Sequence, residues 1–455
     1  MTEREHLPLP QGAEIAVIGG GPAGAFFSIY AMRLAKDMGK KVRLTIFDRK
    51  TFTHQGPAGC NMCAGVISES MVQSLAIDGI NLPPSIVQRS VDSYCFHSSS
   101  GEVYIRSPYT RQRGIAATYR GGGPKGSEKT GIQSFDEFLM ERAAKEGAVL
   151  DRRVVDEIQL NGDKPRLCSG KKSVMEADLL VGAFGVNALT AKKFEDLGFG
   201  YTAPDTIRAT QAEMPLGKDW VSEHFGNTIH VFLLNLPGVK FAAITPKCEY
   251  ATISLLGKDV NQETVKALLS HPLVQKMLPT NWKLPERFCH CFPKINVGAA
   301  CKPYGHRIVI VGDAASTRLY KDGIGSAYVT GKAAAQVVSL YGIGEGDFLR
   351  HYSPVCKEIN RDNLVGRFLF GANDFICGLP SLSKGYFRTL QQEQKDPSLG
   401  TPHSDMLWDM FTGSRSYKDI LFQAISPRSQ YTMVRGVLGA LSESFNLFST
   451  ALGKG

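Results

Sequence analysis

Three stretches of this 455-residue chain predict an α/β fold. The first is the apolar run Ile15-Ala16-Val17-Ile18, which turns through Gly19-Gly20-Gly21-Pro22-Ala23-Gly24 into an apolar helix and a second strand, Val42 to Phe47, closed by Asp48. The second is Arg307-Ile308-Val309-Ile310-Val311, a buried-type strand ending in Gly312-Asp313. Between them, from Thr206 to Leu256, lie several strand-like runs. Together they predict a Rossmann-like dinucleotide-binding domain that is discontinuous over 13–200 and 288–340. A mostly antiparallel, β-rich substrate-side domain is inserted over 201–287, and a mainly helical region follows over 341–455.

The first stretch has the residue types a phosphate-binding turn needs. Gly19 permits a tight turn, Gly21 lets the backbone approach a pyrophosphate, and Gly24 lets the helix pack closely on the strand. Pro22 and Ala23 open that helix, whose unpaired N–H groups and positive dipole end favour an anion without a basic side chain. Asp48 ends the second strand where a ribose hydroxyl pair needs an acceptor, and Arg49 follows it as a further cofactor contact. A lone GxGxxG is weak, but here strand, turn, helix, second strand and acid occur in order. At the second anchor Gly312 and Asp313 close a strand, the Asp suiting a ribitol hydroxyl. Gly323-Ile324-Gly325 then starts another helix with its N-terminus toward the cofactor, where it favours negative charge at the N1–C2=O edge of a reduced flavin ring.

In chain order, the turn-rich segment after Asp48 carries Cys60-Asn61-Met62-Cys63-Ala64-Gly65. This CxxC reads as a redox dithiol, half of a metal site, or a pair of which one thiol matters. Val91 to Ile105 alternates as paired strands with a turn at Gly101. Gly121-Gly122-Gly123-Pro124-Lys125-Gly126 also satisfies GxGxxG, but no apolar strand leads into it and polar residues follow, so it is read as a loop. That leaves no evident NAD(P)-binding domain. Phe135 to Gly147 is amphipathic, Ala177 to Gly185 is a buried strand entering a glycine turn, and Gln262 to Met277 is expected as one helix.

With 43% hydrophobic and 21% charged residues the composition is that of a globular chain, not a disordered one. The formal charge of +9 suits an acidic redox partner, an anionic lipid surface or a phosphorylated substrate; scattered basic residues without a recognised motif argue against nucleic acid. The polar N-terminus and the absence of a long apolar run set the expectation of a cytoplasmic protein, with membrane contact as an addition. Ten cysteines without framework spacing fit reduced thiols. Cys289-His290-Cys291 with Cys301 comes nearest to a ligand set, but a CxC on a strand more often packs, and no metal is expected.

The glycine motif with Asp48, Gly312-Asp313-Ala314-Ala315 and Gly323-Ile324-Gly325 resemble those of the flavoprotein group that includes geranylgeranyl reductases, FixC-type proteins, electron-transfer-flavoprotein:quinone oxidoreductases and aromatic hydroxylases. Cys63-Ala64-Gly65-Val66-Ile67-Ser68 is similar to the cysteine-glycine segment of the geranylgeranyl reductases, and Phe184-Gly185 stands where hydroxylases carry Asp-Gly. The resemblance implies FAD and reduction of a carbon–carbon double bond in an isoprenoid or other lipid-like substrate, with NAD(P)H or reduced ferredoxin as the external donor. It also implies that Phe241, Pro246 and Lys247 belong to the substrate pocket and that Cys63, with Cys60 beside it, takes part in proton chemistry or shapes the pocket. Electron transfer between a protein carrier and a quinone is the alternative, as is flavin-dependent monooxygenation. Disulfide reduction is disfavoured because it needs a second nucleotide domain. At the C-terminus Val434, Val437, Leu438, Leu441, Phe445, Phe448 and Leu452 make an apolar stripe at helical spacing, expected to pack on the protein's own body or a second subunit, or else to lie in a membrane interface.

Overall fold

Strands buried on both faces read as apolar runs: Leu179–Gly182 is wholly apolar and Ala13–Ile18 is interrupted only by Glu14, because long helices cover one face of their sheet while a small three-stranded sheet (Glu157–Asn161, Lys164–Ser169, Lys172–Glu176) packs on the other. The computed structural model describes residues 5–108, 114–128, 131–170, 172–234, 236–396, 398 and 400–452, with backbone alone for 443–452. Its first sheet runs Tyr304–Gly305, Ile308–Ile310, Leu179–Gly182, Ala13–Ile18, Val42–Phe47, Val149–Asp151. All pairs are parallel except that at the Tyr304–Gly305 edge. The helices Pro22–Asp37 and Gly323–Leu340 lie against each other, and a Cβ on Gly331 would come within 3.0 Å of the Ala23 carbonyl oxygen. Close helix contact therefore depends on glycine at that crossing, and it brings the two cofactor-type turns together.

A second sheet of eight strands carries the substrate-side wall. Its order is His290–Cys291, Thr206–Pro215, Tyr250–Gly257, Val239–Pro246, Thr228–Leu233, Ser93–Ser98, Gly101–Arg106, with Lys294–Asn296 pairing on Thr206–Pro215. The pairing is antiparallel throughout except between Thr228–Leu233 and Ser93–Ser98. Two of these strands come from well before residue 201, so the sheet is wider than the inserted segment. One face meets the C-terminal helices: Trp408 packs on Tyr94 at 5.3 Å between ring centres, and Phe411 packs on Phe96 at 5.0 Å and on Phe241 at 5.5 Å.

Two expectations change here. The helix expected over Gln262 to Met277 is divided into Gln262–Ser270 and Pro272–Gln275, because His271 before a proline takes an extended backbone (ψ 134°) and its ring nitrogen accepts from the Leu273 N–H. The C-terminal stripe is divided as well. Helix Pro427–Leu452 packs on Pro380–Lys395 through Gly436, Val437 and Ala440; Val437 touches Gly385, and Gly436 lies against Thr389. Tyr431, Val434, Leu438 and Leu441 instead face outward, 46–67% exposed. The small residues, which allow close approach, have won the packed face. The side chains of Phe445, Phe448 and Leu452 lie outside the described residues, as do Lys129 and Thr130 beyond the second glycine cluster. No described helix is long and apolar enough to cross a membrane.

Candidate functional site

Each glycine of the first turn has a different physical reason. Gly19 has φ +110°, and a Cβ there would lie 2.3 Å from the Ala183 carbonyl oxygen; a Cβ on Gly24 would lie 2.0 Å from the Gly19 carbonyl oxygen. Those two positions are closed by the protein's own backbone. Above Gly21 no backbone intervenes: the one atom near a Cβ is the side-chain Asn61 Nδ2 at 3.3 Å. Asp48 accepts from the Gly20 N–H at 2.7 Å and from the Lys50 N–H at 2.8 Å, one bond to each oxygen. It thus holds the turn while keeping a free lone-pair direction on each oxygen for a ribose. Pro22 and Ala23 are buried at the helix start, and Arg49 is exposed.

The second anchor abuts the first, since a Cβ on Gly312 would come 2.6 Å from that of Ala23. The Gly312 N–H donates to Thr330 Oγ1 at 2.9 Å. Asp313 follows, with Oδ1 buried and without a hydrogen-bond partner among the described atoms, and burial raises its pKa. Gly323 is beside it, 3.4 Å from Asp313 Oδ1 to a Cβ built there. Ile324 is buried, and Gly325 donates its N–H to Asp322 Oδ1 at 3.1 Å, capping the helix. A turn at Gly21 faced only by the Asn61 side chain and an orphaned carboxylate oxygen at Asp313 are what the two ends of an extended FAD require, so the residues present fit that cofactor.

Between these anchors the Cys60–Cys63 segment is tied down by charge. Lys50 Nζ donates to the Cys60 carbonyl at 2.8 Å, Asn61 donates to Asp136, and Asp136 forms a buried two-pronged pair with Arg120. Burial raises the Cys60 pKa, which keeps a thiol there. Both Cys60 and Cys63 are within electrostatic reach of Arg120. Cys63 also reaches Lys321, whose ammonium lies 4.5 Å from the Phe241 ring centre and 4.9 Å from that of Phe411. Burial lowers the Lys321 pKa to about 8. Next to it, burial raises Asp322 to about 7.

Phe241 and Lys247 share one face of the strand and its continuation, with Pro246 buried before the turn. They play different parts. Phe241 belongs to the aromatic wall, whereas Lys247 is 1% exposed, stands 3.4 Å from Glu213 Oε1 and lies 4.1 Å over the Tyr119 ring. Cys289 and Cys291 sit at the edge of the same sheet, and Cys301 is exposed elsewhere, so the structure does not gather them into a ligand set.

No family model matches the chain. It is 25% identical over 365 residues to the chloroplastic geranylgeranyl diphosphate reductase of Arabidopsis thaliana, covering 74% of this chain and 69% of that protein. The geranylgeranyl diphosphate reductase of Synechocystis is 23% identical over 346 residues, with 70% and 73% covered. The chain is thus similar to geranylgeranyl diphosphate reductases over about seven-tenths of its length. Among solved structures, a geranylgeranyl bacteriochlorophyll reductase-like protein from Thermoplasma acidophilum superposes with a TM-score of 0.62 at 17% identity, over 94% of this chain and 99% of that one. A flavin-dependent brominase gives 0.58 at 13%, over 89% and 94%. These likenesses are of fold. With the reductase relatives and the fitted cradle they support a flavin-dependent oxidoreductase.

Sequence reasoning did not single out Lys321, Asp322, Arg120 or Asp136. Lys321 and Asp322 directly precede the Gly323 motif, a signal available in the chain; Arg120 and Asp136 have none, because only the fold brings them under the cysteine segment.

Proposed function

We propose that the chain is an FAD-dependent reductase that adds hydride and a proton across a carbon–carbon double bond of an isoprenoid or other lipid-like substrate. The observation that carries this reading is the ammonium of the half-buried Lys321, lying over the rings of Phe241 and Phe411, within electrostatic reach of Cys63 and two residues ahead of Gly323. Bound and reduced, FAD supplies the hydride. Gly21, Asp48, Asp313 and the helix beginning at Gly323 would hold it. Phe241 and Phe411 present aromatic surface to an apolar substrate and limit water near the reacting carbon.

Hydride addition leaves a carbon that must take up a proton, and Lys321 is an acid of suitable strength. With a pKa near 8 it is mostly protonated at neutral pH yet gives up a proton far more readily than a solvated lysine. Cys63 is the second acid in reach, and Cys60 serves the pocket's shape. A diphosphate or other anionic head on the substrate suits the +9 chain, as does an acidic redox protein delivering electrons in place of NAD(P)H.

The test is a single turnover without any physiological donor. Dithionite-reduced protein is mixed anaerobically with geranylgeranyl diphosphate, flavin absorbance is followed, and the lipid is analysed by mass spectrometry. Flavin reoxidation with matching gain of hydrogen by the lipid supports the reading. Reoxidation by a quinone, with no reduced polyprenyl product from any chain tried, would overturn it in favour of electron transfer.

A further inference from the structure

Cys95 and His97 occupy alternate positions on Ser93–Ser98, so both leave the same face of the sheet, opposite Tyr94 and Phe96. The parallel register places His230 beside Cys95 and Phe232 beside His97. His97 Nε2 lies 2.9 Å from His230 Nδ1, and one donor atom from each of Cys95, His97 and His230 falls within 4.8 Å of the others. All three side chains are buried. On the solvent side, Glu102 Oε2 stands 3.5 Å from His97 Nδ1.

We propose that Cys95, His97 and His230 form a zinc site on the back of the substrate-side sheet, with Glu102 as the carboxylate that orients His97. A tetrahedral zinc sets its nitrogen and sulfur donors about 3.3–3.6 Å apart, against separations of up to 4.8 Å here, so the side chains would rotate to bind it and a water would fill the fourth position. Glu102 accepting from Nδ1–H leaves the Nε2 lone pair of His97 directed at the cluster, the arrangement common to metal-bound histidines. Zinc would displace the Cys95 thiol proton to solvent and take the thiolate as ligand. One soft sulfur with two imidazoles favours zinc over magnesium or calcium.

A buried histidine pair sharing one hydrogen bond is the competing account. It pairs the Cys95 thiol with the Tyr104 hydroxyl but leaves His230 Nε2 enclosed without a partner among the described atoms. The metal also has a structural task. His97 and His230 are 133 residues apart, and their strands form the parallel pair of this sheet, a junction with no short connection to hold its register. Because the two residues nearest in sequence are only i and i+2, no ligand spacing in the chain announces the site.

The full, flavin-loaded chain is purified without chelator and its metals are counted, then chelator-treated protein is titrated with Zn2+ alone against a competing dye. One zinc per chain is expected, with a sulfur and two nitrogens in its X-ray absorption spectrum. Glu102 is 61% exposed, so Glu102→Gln should fold normally and weaken zinc by about 10- to 100-fold. Cys95→Ser should remove the sulfur from the spectrum. A folded, flavin-loaded chain that neither carries zinc nor takes it up overturns the proposal, and so does zinc retained in Cys95→Ser but lost in a Cys289→Ser, Cys291→Ser variant.

Discussion

Replacing Gly21 with alanine separates the cofactor's needs from the protein's own. The residue has φ −69° and ψ −177°, an extended backbone that alanine adopts freely, and its new Cβ would touch only Asn61 Nδ2 at 3.3 Å. Without flavin the variant should stay within about 1 kcal/mol of the parent, the stiffer unfolded chain offsetting the small shift Asn61 must make. With flavin the same methyl meets the pyrophosphate. An overpacking cost of about 1–3 kcal/mol weakens FAD by about 5- to 150-fold. Gly24→Ala is the contrast: its Cβ would sit 2.0 Å from the Gly19 carbonyl, so the flavin-free protein itself should lose stability at or beyond the top of the ~1–3 kcal/mol range. Urea unfolding of both flavin-free variants and FAD titration by fluorescence quenching measure the two effects. A folded Gly21→Ala protein that binds FAD as tightly as the parent would refute the cradle assignment.

Four further outcomes follow, three from the site and one from the C-terminal helix. Under single turnover, product formation should fall as pH rises through about 8, where the Lys321 ammonium is lost; Lys321→Met should slow the step by about 10²–10⁴-fold, and a parent profile flat through that pH would remove Lys321 from proton delivery. The same lowered pKa means the unfolded chain holds the Lys321 proton more tightly, so burial of that charge costs stability below about pH 8 and the cost is released as pH rises further. Cys63→Ser should reduce turnover more than Cys60→Ser; equal losses together with a titratable dithiol would indicate redox exchange instead. Val434→Glu with Leu438→Glu should leave the fold intact, both side chains being exposed, and, where the outward face of this helix meets a membrane, should abolish sedimentation with anionic liposomes; equal negligible binding by parent and variant would end the membrane-interface alternative.

The dinucleotide half of the fold was legible because its constraints are local. A turn that must place Gly19 at φ +110° and bring Gly24 against the Gly19 carbonyl leaves no choice of residue, and strands buried on both faces leave little choice of polarity. What sequence concealed depends on distant partners. The strands Ser93–Ser98 and Gly101–Arg106 read as a hairpin, but nothing in them shows that Thr228–Leu233 lies alongside in parallel. The C-terminal stripe shows another limit. Apolar periodicity marked the large side chains, while the packed line runs through Gly436 and Ala440, which such a pattern weighs lightly.

The buried cations explain one another. Arg120 is neutralised by Asp136, and Lys247 is held by Glu213 and Tyr119, so each is matched within the protein. Lys321 differs: it is half-buried, its neighbours among the described residues are two aromatic rings and the Cys63 thiol, and desolvation pulls its pKa down to about 8. Quadrupole attraction from Phe241 and Phe411 offsets only part of that desolvation. A lysine left in this state is poorly suited to stability and well suited to losing a proton. Its position beside the cysteine segment and the Gly323 helix then makes proton delivery, rather than structural pairing, the role that best accounts for it.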